Sequence, residues 1–572
     1  MELLKKHFDL AFAAPDSVQK LRELILTLAM QGKLVPQDPK DQPASELLKE
    51  IEAEKQRLVE KGTFRDREDL EPSEIVKNFI IPKNWERCTI QNLGFVLGGK
   101  RLPNGHNYSE FPTAYRYLTV TNMKNKTIIN KEIKYIKPET YAEISKYVIT
   151  KNDLYITIAG TIGAVGSVPE SCDGMNLTEN AAKLVFSKCD KTFLVYLLNS
   201  KVVQDQFAAL TNKMAQPKLS LRSILSTLIP LPPLVEQRRI VTKIDRLMAR
   251  CDELEKLRGD RNQKRITIHT AALNRLLTAK ESSDFSTAWR FITQHFGELY
   301  SVKENVAELR KAILQLAIMG KLVPQDPKDE PASELLKAIE AEKQRLVKEG
   351  KIKQSKPLPE IKPQQVPYEL PKGWNWVRLG DISQIIGGFA YKSNLFKTEG
   401  TRQVLRLGNI RPDLIRLNEN PVFIDDSLGE LTSELCLLKN DILITMTGTR
   451  SKHDYLYTVR VEENPMNGVL LYLNQRVGAI RLFSDARYMN LALKVEILKD
   501  AIFSSATGSA NQANIGINNL REWIVPLPPL TEQHRIIAKT DRIMALCDQL
   551  DEQIDAATSK QTTLLNAVMA QV

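Results

Sequence analysis

Residues 32–59 read GKLVPQDPKDQPASELLKEIEAEKQRLV, and residues 320–347, 288 positions later, read GKLVPQDPKDEPASELLKAIEAEKQRLV. Two of these 28 positions differ, Gln42 against Glu330 and Glu50 against Ala338. A second pair lies 296 positions apart, PLPPLVEQRRI at 230–240 and PLPPLTEQHRI at 526–536. The chain is therefore one design written twice. Between the matched ends the halves share only scattered identities, the pattern expected if the ends meet the same partner and the middles meet different ones.

Around the arm, Val18, Leu21, Leu24, Ile25, Leu28 and Ala29 recur at helical spacing, and Gly32 stands where a C′ glycine ends such a helix. The proline-rich run 35–43 cannot continue it, so the spacing predicts a second helix from about residue 44 to about residue 61, with charged, solvated faces. A polar stretch at 63–78 reads as a linker. The second half repeats the first helix at 302–319.

The middles open on Trp85 and Trp374, read as core anchors rather than base-stacking platforms, and thirteen residues later each reaches a glycine pair, Gly98-Gly99 and Gly387-Gly388. Short β-branched and aromatic runs follow (117–121, 154–158, 405–407, 442–446), with a helical patch at 193–207. Each middle therefore reads as an α+β domain of about 150 residues. Residues 151–161 match residues 439–449 as a turn, a buried strand and a glycine-bearing loop, a place where a rigid scaffold holds recognition side chains.

Past each PLPPL run the pattern turns to a long helix. Ile536, Thr540, Ile543, Cys547, Leu550, Ile554, Ala557, Gln561, Leu564 and Val568 fall at steps of four and three, a coiled-coil seam. The central copy starts the same seam at Ile240, Ile244, Leu247, Cys251 and Leu254. Arg258 and Arg261 interrupt it before an apolar face resumes at 268–277, leaving the rod's continuity through Arg258–Arg265 open. Two rods in one chain are expected to pair, with the boundary between halves at 280–287.

Composition narrows the function. A chain of 572 residues exceeds one core, and 80 Lys+Arg against 69 Asp+Glu, net +11, favours a polyanionic partner without requiring one. The six cysteines and six histidines show no zinc spacing, no apolar run approaches the ~20 residues of a membrane span, and the first residues lack a signal-peptide core. The expected location is cytoplasmic. Phosphate-loop, GxSxG, HExxH and zinc-deaminase signatures are missing, and Gly160–Gly166 lacks dinucleotide spacing. Asn464-Pro-Met466 only approaches the NPP[YF] of amino-methyltransferases. Asp38-Pro-Lys40 and Asp326-Pro-Lys328 contain the D-x-K of a nuclease, but a proline-rich loop is the better reading of both. These absences count against a self-contained DNA methyltransferase or nuclease, and leave a non-catalytic DNA reader and a coiled-coil protein adaptor.

The order arm, middle domain, long helix, then the same again, resembles the specificity (S) subunit of type I DNA restriction-modification systems over essentially the whole chain. The residues that carry the resemblance are the two GKLVPQDP arms, the two PLPPLxEQ helix starts, and the approaches Gln216-Pro-Lys-Leu219 and Gln512-Ala-Asn-Ile515. It implies an α+β fold with two target recognition domains separated by long helices that form an antiparallel coiled coil, in a pseudo-two-fold internal repeat. The expected parts are an N-terminal helical arm (1–79), recognition domain 1 (80–235), a central helical region (236–362), recognition domain 2 (363–530) and a C-terminal helix (531–572). The resemblance further implies a non-catalytic subunit, each domain reading one half of a bipartite, asymmetric double-stranded DNA target. Its partners would be two copies of a modification subunit, which use S-adenosylmethionine to methylate adenine, and motor-nuclease restriction subunits. No cofactor or metal is expected in this chain.

Polar residues in the glycine-rich and strand-end loops are the DNA-contact candidates, because their donors match phosphates and base edges. In the first domain these are Lys100, Arg101, Tyr108, Asn122, Lys124, Thr161, Gln216 and Lys218. In the second they are Tyr391, Lys392, Asn409, Arg411, Thr449, Arg450, Lys452, Asn511 and Gln512. Ordinary solvated loops are the competing reading. Gln37, Asp38, Lys40, Glu236, Gln237, Arg239, Asp245, Glu532, Gln533, Arg535 and Asp541 are the partner-docking candidates, against helix capping and charge pairing within the chain.

Overall fold

The computed structural model describes residues 12–65, 70–72, 80–211, 217–509 and 512–570. The chain forms two compact units, one running to Arg261 and taking in the residues from Ala557 on, the other spanning Asn262–Ala556.

In the first unit the arm begins with α1, Ser17–Met30, which buries Val18, Leu24, Ile25, Ala29 and Met30 along one face. It stops where expected: Gly32 takes φ +67°, and a Cβ there would lie 2.3 Å from the Pro82 ring. Helix α2, Ala44–Glu60, buries Ala44, Leu47 and Ile51. Its other faces are solvated and carry pairs such as Arg57–Glu54 (2.6 Å).

The middle domain is closed at its base by β1 (Glu86–Thr89), antiparallel to the exit strand that precedes the long helix, Leu228–Leu231. Its main sheet contains β2 (Gly94–Gly98), β3 (Leu154–Thr157), β4 (Val165–Ser167) and β5 (Ala181–Phe186), in the antiparallel order β2-β5-β3-β4. All four residues of β3, Leu-Tyr-Ile-Thr, are buried, which accounts for a continuous rather than alternating apolar run. A second four-stranded sheet packs beside it, built on Tyr115–Leu118 and Met175–Leu177. The exit strand, Leu228–Leu231, becomes β6 in chain order, and its Pro230 sits opposite Arg87 in a two-stranded sheet, where a residue without an N–H is tolerated. Helix α3 then runs unbroken from Leu234 to Thr278, 45 residues, so the Arg258–Arg265 stretch does not interrupt it.

The second unit repeats the plan. Its arm consists of α4 (Lys303–Ile318) and α5 (Ala332–Lys348). Its domain has a base strand β7 (Asn375–Arg378) and a main sheet of β8 (Ser383–Gly387), β9 (Ile442–Thr445), β10 (Thr458–Arg460) and β11 (Val477–Leu482), in the order β8-β11-β9-β10. The exit strand β12 (Ile524–Leu527) pairs with β7, and α6 covers Leu530–Ala570. The fold is α+β, built twice.

Each unit also holds the start of its own long helix and the end of the other one. In the first unit, Leu565 of α6 is fully buried in a cluster with Ala14. In the second, Ala272, Leu273 and Leu276 of α3 share a core with Cys547 of α6, with Ile543, Leu550 and Ile554 packed against it. The arms tie onto the middles of the long helices by matched ion pairs: Arg22 to Asp252 (2.6 Å) and Glu255 (3.1 Å), Arg310 to Asp548 (2.7 Å) and Asp551 (2.9 Å).

The structure corrects three expectations. Leu254, read as a seam position, and Ile268, read as the start of the resumed apolar face, are 45% and 47% exposed; beyond Cys251 the buried face of α3 resumes at His269, Ala272, Leu273 and Leu276, because a polar stretch separates its two apolar faces. In α6 the exposed Ala557 gives way to half-buried Thr558, and Leu565 rather than Leu564 is fully buried. Residues 280–287 are not a bare boundary, since Ser282–Gln294 is a helix that buries Ala288 and Ile292. No helix among the described residues is long and apolar enough to cross a membrane.

Candidate nucleic-acid interface

Three strand ends converge at one edge of each main sheet. In the first domain Gly98 pairs with Ala182 and Thr157 with Ala181, so the chain after β2, the chain after β3 and the turn before β5 lie together. The Lys100 amide donates to Leu177 O (2.8 Å), the Ile158 amide to Asn180 O (2.8 Å), and the Leu219 amide to Ile158 O (2.9 Å). The same edge recurs in the second domain. Phe389 N donates to Leu473 O (3.1 Å), Met446 N to Arg476 O (3.1 Å), and Ile515 N to Met446 O (2.8 Å).

The glycine pairs make this crossing possible. A Cβ on Gly99 would sit 2.0 Å from Thr178 O, and one on Gly388 2.0 Å from Asn474 O. Only glycine allows so close a backbone approach.

This edge gathers several of the candidates. Lys100, Arg101, Thr161 and Lys218 are exposed on it in the first domain, and Lys100 Nζ lies 5.7 Å from the centre of the Tyr147 ring. Tyr108, on the loop after Arg101, packs edge-on to Tyr117 at 5.6 Å, and burial pushes its hydroxyl pKa up. Lys124 is exposed in a separate small hairpin, Met123–Lys124 with Thr127–Ile128. In the second domain Lys392, Arg450, Lys452 and Gln512 are exposed. The hairpin 507–514 pairs with Thr447–Gly448 and so brings Gln512 beside the Thr449 loop. Within that loop the Thr449 amide donates to Asp454, and Arg450 donates to Ala506 O. Gln216 and Asn511 lie outside the described residues.

Other candidates are turned inward. Asn122 is 3% exposed; its Oδ1 accepts from the Thr119 amide (3.1 Å) and its Nδ2 donates to Lys131 O (2.9 Å). Asn409, 2% exposed, accepts from the Arg406 amide (2.9 Å) and donates to Arg416 O (2.9 Å) and Glu419 O (2.8 Å). Both asparagines hold a turn together, which corrects their reading as DNA contacts. Tyr391 is buried and donates its hydroxyl to Thr432 Oγ1 (3.0 Å). Arg411 is half-buried, with a guanidinium donating to Ile410 O (2.9 Å).

The edge also carries residues that sequence reasoning passed over: Phe389, 46% exposed at the backbone position of Lys100, and Gln475 and Arg476, at the positions of Glu179 and Asn180. The glycine pair before Phe389 was a usable signal. For Arg476 the signal is the turn into β11, which is visible only once the strands are paired.

The matched ends turn out to bind one another. Gln37 Nε2 donates to Glu236 Oε1 (2.7 Å), and Gln325 Nε2 to Glu532 Oε1 (2.9 Å). Arg535 holds both oxygens of Asp329 (3.1 and 2.6 Å), and Arg239 grips both oxygens of Asp41 in the same way. Gln237 Nε2 returns to Pro232 O and Gln533 Nε2 to Pro528 O, each at 2.9 Å, closing the turn from strand into helix. Trp374 Nε1 donates to Glu532 Oε2 (2.8 Å), and Trp85 and Trp374 are 3% and 7% exposed, the core anchors expected. Burial pushes the Glu236 carboxyl pKa up, against the pull of Trp85, Gln37 and Arg239. The Arg535 guanidinium pulls that of Asp329 down.

Glu236, Gln237, Glu532 and Gln533 are at most 1% exposed, buried by the chain itself, which corrects their reading as a docking surface. Arg239 and Arg535 are half-buried in the clamp, and Gln37, although exposed, is tied to Glu236. Of the docking candidates Asp38, Lys40, Asp245 and Asp541 remain exposed. Asp38 accepts from the Lys40 amide (3.0 Å), and Asp245 accepts from the Tyr196 hydroxyl.

Comparison with known proteins agrees with a doubled reader. The family model for the type I restriction modification DNA specificity domain matches residues 82–262 and 371–557. The specificity subunit of type I restriction enzyme EcoAI from Escherichia coli is 33% identical over 556 residues, covering 96% of this chain and 93% of that protein. The EcoEI specificity subunit, also from Escherichia coli, is 32% identical over 567 residues with the same coverage, 96% and 93%. Among solved structures, the HsdS subunit from Thermoanaerobacter tengcongensis is 18% identical with a TM-score of 0.41, covering 85% of this chain and 97% of that one. With its duplicated domain matched twice and nearly its whole length aligned, this chain belongs to the family of type I restriction-modification specificity subunits, which assign DNA sequence specificity to those enzymes.

Proposed function

We propose that each domain reads one half of a bipartite, asymmetric DNA target through its sheet edge, and that the chain performs no chemistry on the DNA. The observation that carries this is a backbone edge built twice to the same hydrogen-bond pattern, with different side chains: exposed Lys100 and half-buried Asn180 in one domain, exposed Phe389 and Arg476 in the other. A shared scaffold with differing side chains suits two different base sequences. Methylation of adenine with S-adenosylmethionine is assigned to two modification subunits, and cleavage to motor-nuclease subunits. Exposed residues that recur at equivalent positions of both halves, such as Asp245 and Asp541, support two identical partners, with Asp38 and Lys40 as further contact residues.

The test is selection of bound sequences from a random duplex pool, with the modification subunits present, for the natural chain and for one carrying residues 80–228 of another member of the family. One half-site should change and the other stay. Both changing, or methyl transfer by the chain without partners, would contradict the proposal.

A further inference from the structure

We infer that Arg476 is a base-reading residue of the second domain and that its half-site contains a guanine contacted by this side chain, an inference that rests on the bipartite reading above. The backbone of Arg476 is fixed, since its carbonyl accepts from Met446 N at 3.1 Å and the adjacent Gln475 amide donates to Phe389 O at 2.9 Å. Its side chain is exposed on the reading edge and, among the described residues, has no hydrogen-bond or ion-pair partner. Most of its neighbours differ in this respect. Arg406 donates to Asn420 O (2.6 Å), Arg402 pairs with Asp426 (2.7 Å), and Arg450 donates to Ala506 O.

Arg476 lines a cleft of about 280 Å³ with Asn474 and Glu419. Glu419 is the acid in that cleft, and it is already engaged by Arg416 (2.9 Å) and Arg411 (3.7 Å). A planar five-donor fork anchored at its backbone and left without a carboxylate matches the paired O6 and N7 acceptors of guanine in the major groove. At the same backbone position the first domain has Asn180, whose amide offers one donor and one acceptor, the pattern complementary to adenine.

The experiment is the same selection, run on the full chain with its modification subunits, for the natural protein, Arg476→Ala, Arg476→Lys and Asn180→Arg. Arg476→Ala should lose preference for one guanine of the second half-site by roughly tenfold to a hundredfold and leave the first half-site untouched. Arg476→Lys should keep part of that preference, because lysine also reaches the guanine acceptors. Asn180→Arg should introduce a guanine into the first half-site. A bipartite natural target that Arg476→Ala leaves unchanged would overturn this inference alone. So would a uniform weakening on every duplex with a smaller salt dependence, which marks a phosphate contact. A natural pool without two separated half-sites would overturn the bipartite reading and this inference together.

Discussion

Arg239 and Arg535 each engage one arm carboxylate through two guanidinium nitrogens, a bidentate geometry among the stronger hydrogen-bonded pairs. Asp329→Asn should lower stability by about 1–2 kcal/mol at pH 7, below the full value for a charged pair because Arg535 is partly exposed. Its carboxyl pKa is depressed in the folded chain, so the stabilisation is present above the ordinary aspartate value and is lost as pH falls through the folded one. The gap between natural and Asp329→Asn protein in urea midpoint, followed by tryptophan fluorescence, should therefore close below about pH 4. These side chains also show what a sequence can reveal. The identity of Gln37, Glu236 and Arg239 with Gln325, Glu532 and Arg535 was visible, but identity in two copies does not say whether the shared partner is another protein or the chain itself. Burial decides that, and burial depends on the turn made by two prolines. Asn122 and Asn409 failed for a related reason: a polar residue in a loop serves DNA or its own backbone according to which way the turn faces.

Among the elements, α3 was legible at both ends and obscure in the middle. Ile240, Ile244 and Cys251 are buried as their spacing requires, whereas the stretch around Arg258 carries no apolar face and yet stays helical. Part of the reason is composition, since Glu, Lys, Leu and Arg are good helix formers that need no core. The weak residue there is Gly259, whose added Cβ would meet nothing within 4 Å. Gly259→Ala should stabilise the helix by roughly 0.5–1 kcal/mol without altering either half-site, read by hydrogen exchange across 252–268 and by DNA selection. Faster exchange, or a clash that lowers stability, would contradict this account. The strands were easier: Ile-Leu-Ile-Thr at 442–445 is buried at every position, so length and β-branching identify it. Their pairing, and hence the edge where the strand ends converge, was not legible, because it depends on contacts between residues far apart in the chain.

For the whole molecule, the exchange of helix ends explains why the two halves belong to one chain. The first unit takes its last helical segment from residues beyond Ala557, where Thr562, Leu565 and Asn566 resemble Thr270, Leu273 and Asn274 of α3. A chain stopped near Ser283 lacks that segment but carries its relative, so two copies should exchange 262–278 and dimerise through a two-fold axis. Such a dimer has two identical readers and should prefer an inverted repeat of the first half-site. Light scattering and selection of bound DNA test both steps; a monomer at micromolar concentration, or a dimer that prefers the original asymmetric site, would contradict it. The burial of Leu565 beside Ala14 also has a consequence in time. A ribosome adding about 5–20 residues per second needs on the order of 15–60 s to pass from residue 261 to the end of the chain. During that interval the first reader has emerged, yet the apolar face around Ala14 waits uncovered. Nascent chains are thus open to mispairing with one another, or to capture by a chaperone, until the final turns of α6 leave the exit tunnel.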